Sequence, residues 1–149
     1  MSEHRIGLHW SRDGGAFARG NYVSAHEIRY SGGQQLKLGP SPELGGDPAL
    51  ADPEQLLLSA LSSCHMLTFL AVAANRGYVV DSYQDEAVAV LDRNEDGKMA
   101  VIAATLAPRV TFSGEKQPTA DEYAKLHERA HAACFIAHSV RTRVDVRPG

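Results

Sequence analysis

At 149 residues and 44% hydrophobic, the chain is sized for one domain with a sizeable core, since domains of about 100 to 150 residues are the commonest. A formal charge of −3 with no run of like charges leaves no electrostatic footprint for nucleic acid or an anionic membrane. The start, MSEHRIGLHW, lacks the basic flank and apolar stretch of a secretory signal, so a cytoplasmic location is expected, where two cysteines point to free thiols or a redox pair rather than a structural staple.

Glu3 to Trp10 alternates as a strand, with Ile6, Leu8 and Trp10 on one face, and Arg12 to Gly15 reads as a turn. In a second strand, Asn21 to Tyr30, the residues Tyr22, Ser24, His26, Ile28 and Tyr30 share one face, and Val23, Ala25, Glu27 and Arg29 the other. The turn Ser31-Gly32-Gly33 leads to a third strand, Gln34 to Leu38. Pro40, Pro42, Gly45, Gly46 and Pro48 punctuate a loop of about a dozen residues, long enough to be a candidate functional loop.

The stretch Asp52 to Tyr78 is a helix marked at both ends. Asp52 is an N-cap, Pro53 suits the first turn, Glu54 lies near the positive end of the helix dipole and Gly77 closes the last turn. Leu57, Leu61, Cys64, Thr68 and Ala71 follow three- and four-residue steps, while Leu56, Leu58, Leu67 and Leu70 make the rest of the surface almost as apolar. Such a helix belongs at the centre of a domain. Its internal Ser59, Ser62, Ser63, Cys64, His65 and Thr68 argue against a membrane span.

Val79 to Arg93 then reads as a strand, Asn94 to Gly97 as a hairpin turn and Lys98 to Phe112 as the returning strand, with Pro108 at an edge or bulge. Gln117 to Cys134 reads as a second helix, with Thr119 and Glu122 at capping-box spacing and Tyr123, Leu126, Ala130 and Ala133 as its apolar stripe. Ser139 to Val146 alternates as a last strand. The order βββ-α-ββ-α-β has too few strand–helix alternations for a parallel doubly wound sheet, so the expected class is α+β with antiparallel sheets covering two helices.

Three constellations carry chemistry. Cys64 lies ten residues after Glu54, which leaves the two about 80° apart around the helix axis. Mid-helix, Cys64 cannot use the helix dipole, so an activated thiolate is expected to need a cation from elsewhere; the bland reading is a buried, inert core thiol. Cys134, at the end of the second helix, also suits a core role; if the two thiols meet, a peroxidatic and resolving pair becomes the economical reading. His127-Glu128-Arg129-Ala130-His131 matches the zinc-protease pattern H-E-x-x-H, giving a small zinc hydrolase as a rival. Its third ligand is not evident, because His138 is one residue beyond the extended spacing, and a short motif in an Ala- and charge-rich helix also arises by coincidence. His65, beside Cys64, points roughly 100° away and reads as a packed histidine.

Taken together, Asp52-Pro53-Glu54, Leu57, Ser62 to Leu70, and Ala130 to Ser139 with the second cysteine resemble the OsmC/Ohr family, the osmotically inducible and organic hydroperoxide resistance proteins. His9-Trp10, Tyr22, His26, Gly32-Gly33, Ser41-Pro42 and Tyr83-Gln84-Asp85 extend the likeness across nearly the whole chain as an OsmC-like subgroup member. The resemblance implies an OsmC-like fold as an intertwined homodimer, with two long central helices wrapped by antiparallel sheets and active sites at the subunit interface. It also implies a cysteine-based peroxidase for organic hydroperoxides, with no bound cofactor and an external dithiol reductant of the dihydrolipoamide type. In that scheme Cys64 attacks the peroxide, Cys134 resolves the sulfenic acid and Glu54 orients an arginine. Where the subgroup carries that arginine this chain has Ser24, and Arg29 or Arg19 is the expected substitute. The alternative from another class is an OsmC-like binding or structural protein without peroxidase activity.

Overall fold

In the computed structural model, which describes residues 1–149, the chain forms two units, Met1–Leu56 and Leu57–Gly149. In the first, β1 (Ile6–His9), β2 (His26–Tyr30) and β3 (Gln35–Leu38) make an antiparallel sheet in that order. Each strand is shorter than its alternation suggested. Gly33, at φ +88°, supplies the left-handed conformation that the β2–β3 turn requires. The Pro- and Gly-rich loop contains a short helical turn, Pro42–Leu44, and closes on itself so tightly that a Cβ on Gly46 would sit 1.6 Å from the Pro40 carbonyl oxygen.

The long helix, α1 (Pro53–Asn75), begins and ends where its signals lie. The Asp52 carboxylate accepts the Gln55 N–H at 2.7 Å while the Gln55 side chain accepts the Asp52 N–H at 3.2 Å, a reciprocal cap. At the other end Gly77 adopts φ +76°, and the Gly77 and Tyr78 N–H groups bond to the Ala74 and Ala73 carbonyls. The buried stripe is Leu61, His65, Phe69 and Ala73; it shares Leu61 with the expected Leu57, Leu61, Cys64, Thr68 and Ala71, then departs by one position at His65 and Phe69 and by two at Ala73. An almost uniformly apolar helix leaves the choice of stripe to its neighbours. Much of the remaining apolar surface stays open, Leu67 at 61% exposure. By length and composition alone α1 would also suffice to cross a membrane, a test that core helices of soluble proteins pass as well.

Beyond α1 the expected two-strand hairpin divides into four strands. These are β4 (Val79–Asp85), β5 (Val88–Arg93), β6 (Met99–Leu106) and β7 (Pro108–Ser113). β4 pairs with β7, and β5 with β6 across the Asn94–Gly97 turn, so one long hairpin contributes its base to one sheet and its tip to another. The break has a chemical cause. Pro108 cannot donate to a ladder, and opposite it Asp85, the last residue of β4, accepts the Ala107 N–H at 2.7 Å through its side chain. The other Asp85 oxygen accepts the Ser62 hydroxyl, tying the break to α1.

The second helix, α2 (Ala120–Ala132), carries the expected capping box of Thr119 and Glu122. Its buried residues are Leu126, His127 and Ala130; Ala133, expected on this stripe, is exposed and instead caps the helix end. The last strand, β8 (Arg143–Val146), runs parallel to β6, which the crossover through β7 and α2 permits. Phe69, Ala73, Tyr78, Leu126 and Ala130 form the core of this unit, with Tyr83, Val110, Phe112 and Tyr123 packed around them. The architecture is α+β with two helices and predominantly antiparallel sheets.

Candidate functional site

Cys64 occupies the middle of α1 on the flank of the buried stripe, where it is half-buried. Cys134 follows immediately after the cap of α2 and is 1% exposed. Both are free thiols, and each is the other's hydrogen-bond partner. The meeting is built by α2: the carbonyls of its last turn hold the Ala133 and Cys134 N–H groups, and the Cys134 carbonyl accepts the His138 N–H. The short helical turn Ala137–Ser139 then returns the chain towards β8.

The two thiols are electrostatically unequal. Burial pushes Cys64 up, but hydrogen bonds from the Ile136 backbone, the Cys134 thiol, the Phe135 backbone and the Thr68 hydroxyl outweigh it, and the thiol lies below its ordinary range. The one proton of the Thr68 hydroxyl is already given to the Cys64 carbonyl at 2.8 Å, so the Ile136 amide, the Cys134 thiol and the Phe135 amide, in that order, carry the lowering. For Cys134 burial dominates, reinforced by Cys64, and that thiol is pushed up. A cation was expected to be necessary for activating a mid-helix thiol. The groups that lower Cys64 here are the Ile136 and Phe135 backbone amides and the Cys134 thiol, and backbone amides leave no trace in the side-chain pattern.

Glu54 lies half-buried in the first turn of α1. Arg29, on β2, is paired with Glu27 at 2.7 Å. Arg19 is exposed, next to the small bridge between Ala18 and Asn21. All three belong to the first unit.

A second constellation escaped the sequence reading. His65 Nε2 and His127 Nδ1 are hydrogen-bonded at 3.0 Å, with their rings stacked at an interplanar angle of 6°. They are 1% and 2% exposed. Burial, then the neighbouring His131 for His65 and His65 itself for His127, lowers both to about 4, so both are neutral at pH 7; Asp85 opposes this on His65. His127 also stacks on Phe69 at 4.3 Å and meets the edge of Tyr123 at 4.7 Å. The outer nitrogens, His65 Nδ1 and His127 Nε2, have no hydrogen-bond partner. The motif H-E-x-x-H thus spends His127 on a second histidine of α1. No three His, Cys, Asp or Glu side chains converge to hold a metal ion, so the zinc-hydrolase alternative lacks its site. The available signal for the pair was a histidine within each helix, but 62 residues of separation hid the contact.

A family model described as OsmC-like protein matches residues 45–148. Among solved structures, an OsmC-like protein of unknown function from Vibrio cholerae is 42% identical over 100% of both chains, with a TM-score of 0.96. An organic hydroperoxide resistance protein from Elizabethkingia anophelis is 17% identical, covering 99% of this chain and 95% of that one, with a TM-score of 0.71. The organic hydroperoxide resistance protein of Bacillus subtilis is 19% identical over 99% and 96%, with a TM-score of 0.67. No curated protein matches the sequence.

Proposed function

Because the chain belongs to the OsmC-like protein family, we propose that it is a thiol-dependent peroxidase that reduces organic hydroperoxides in oxidative-stress defence, with Cys64 and Cys134 as its redox pair. The observation that carries this reading is the inequality of two mutually bonded thiols: Cys64 is accessible and lowered, Cys134 buried and raised. A nucleophile must be a thiolate that can be reached, whereas a resolving thiol need only be adjacent. The Cys64 thiolate attacks the terminal oxygen of ROOH, the O–O bond breaks, and the alkoxide takes a proton to leave as ROH. The Cys134 sulfur, giving up its proton, then attacks the Cys64 sulfenic acid; an S–S bond forms and water departs. An external dithiol, of the dihydrolipoamide type, reduces the disulfide back to two thiols and becomes a disulfide itself. No bound cofactor takes part, and the setting is cytoplasmic.

Glu54 completes the reading as the carboxylate that orients a guanidinium, with Arg19 or Arg29 as the guanidinium. A second copy of the chain is the partner, supported by the open apolar surface of α1, including Leu67 at 61% exposure, which a lone soluble chain rarely presents. Sedimentation at micromolar concentration is expected to give a homodimer.

Purified protein with dihydrolipoamide and cumene hydroperoxide tests the activity. Sustained turnover is expected, lost in Cys64→Ser and reduced to one turnover in Cys134→Ser, with a trappable sulfenic acid on Cys64. A binding or structural role without turnover is the second reading, favoured by the groups that act on Cys64, which are amides, a hydroxyl and a thiol with no guanidinium among them. Absence of turnover in the unmodified protein with either cumene hydroperoxide or hydrogen peroxide would put that reading first.

A further inference from the structure

We propose that the His65–His127 hydrogen bond is the positioning element of the thiol pair, holding α1 and α2 in the one register at which Cys64 meets Cys134 and the Phe135 and Ile136 amides. The inference rests on the thiol pair of the proposed function but not on its turnover.

The geometry is that of a latch with two short arms. His65 is covalently next to Cys64 in α1, and His127 lies seven residues, about two helical turns, before Cys134. Helical backbone bonds transmit that position to the end of α2, where the Cys134 N–H is held by the His131 carbonyl at 3.2 Å. Apolar packing between the helices, chiefly Phe69 with Leu126 and Ala130, is non-directional and tolerates sliding. A single N–H···N bond at 3.0 Å inside that packing does not.

The pair is costly in isolation, which argues for a role. A lone buried imidazole leaves ring nitrogens without partners, and here the two outer nitrogens remain unpaired even though an apolar pair of similar shape would leave none. The bond uses the neutral rings, one donating and the other accepting. The groups that act on His65 are His131 of α2, which disfavours its protonation, and Asp85 of β4, which favours it; Tyr83 and Tyr123 close the ring stack around Phe69. None of these competes for the shared bond. The cysteine that benefits is Cys64, because the amides that lower it belong to Phe135 and Ile136, beyond the end of α2.

Substitutions separate this role from mere filling of the core. His127→Phe keeps a ring against Phe69 and Tyr123 and removes the bond. His65→Gln with His127→Asn keeps an amide hydrogen-bonding atom near each of the two bonded nitrogens. The readouts are the pH midpoint of Cys64 alkylation, in a Cys134→Ser background, and the rate at which diamide closes the disulfide in protein carrying both cysteines. His127→Phe is expected to raise the midpoint by about one unit and slow closure by about tenfold, and the Gln/Asn pair to restore both towards the unmodified values. A folded His127→Phe protein with an unchanged midpoint and closure rate would overturn the proposal. If His127→Phe does not fold, the folded Gln/Asn protein decides: unmodified thiol behaviour supports the latch, and thiols as slow as those of a protein with His65→Gln alone overturn it. Since diamide needs no peroxidase activity, failure to turn over hydroperoxide leaves the outcome intact and strikes only the proposed function.

Discussion

His65 and His127, 62 residues apart in the chain, share one hydrogen bond of 3.0 Å between rings that are almost parallel. Each belongs to the buried stripe of its own helix. The contact therefore joins the two helices at a polar point inside an aromatic cluster, and its consequences are measurable.

Acid is expected to destabilise the fold through this pair. An unfolded histidine titrates near 6.5, and both of these are lowered to about 4 when folded. Between those values the unfolded state binds more protons, so the contribution is fully present above about pH 6.5, falls as the pH falls, and levels off below about 4. The first proton to enter the pair costs about 3 kcal/mol at the end of that window. Urea unfolding at pH 7.5, 5.5 and 4.5 measures it, with the His65→Gln, His127→Asn protein as the control that removes this part of the slope. Equal slopes in the two proteins would contradict the assignment.

Phe69 is completely buried and its ring meets those of His127, Tyr83, Tyr123 and Phe112 at centroid distances of 4.3, 5.7, 6.3 and 6.4 Å. Phe69→Ala removes the centre of that cluster and is expected to cost about 3 to 5 kcal/mol. Denaturant melts would expose an error: a loss below about 1 kcal/mol means that the cluster does not hold the unit together.

Asp85 bonds the Ala107 N–H and the Ser62 hydroxyl where the hairpin passes from one sheet to the other. Asp85→Ala leaves that N–H without its acceptor and is expected to cost about 1 to 3 kcal/mol. Hydrogen exchange gives the local test. Protection at Ala107 should fall more than protection at Leu91, and a uniform change along the hairpin would argue against a local role.

Cys64 should react before Cys134. With its lowered thiol and partial exposure, against a buried and raised partner, it is expected to take iodoacetamide at pH 7.5 more than about tenfold faster. Peptide mapping of partly labelled protein reads the ratio, and preferential labelling of Cys134 would reverse the assigned roles.

The amino-acid sequence by itself determined the features that depend on residues within a few positions of each other. The caps of α1 at Asp52 and Gly77, the capping box at Thr119 and Glu122 and the turn at Asn94–Gly97 lie where their side chains require them, because capping and turn formation are local balances of hydrogen bonds and allowed dihedrals. The α+β class and the family followed from those elements and from the residues around Cys64. Tertiary structure alone decided which stripe of α1 is buried, since a helix apolar nearly all round has no preferred face until neighbours cover one. It decided that one hairpin serves two sheets, because a side-chain acceptor for the Ala107 N–H arrives from Asp85, 22 residues away. It also decided the chemistry beside Cys64. The histidine partner of His65 lies 62 residues on, and the Phe135 and Ile136 groups that lower the thiol are backbone amides, which every residue but proline possesses and which only folding can aim.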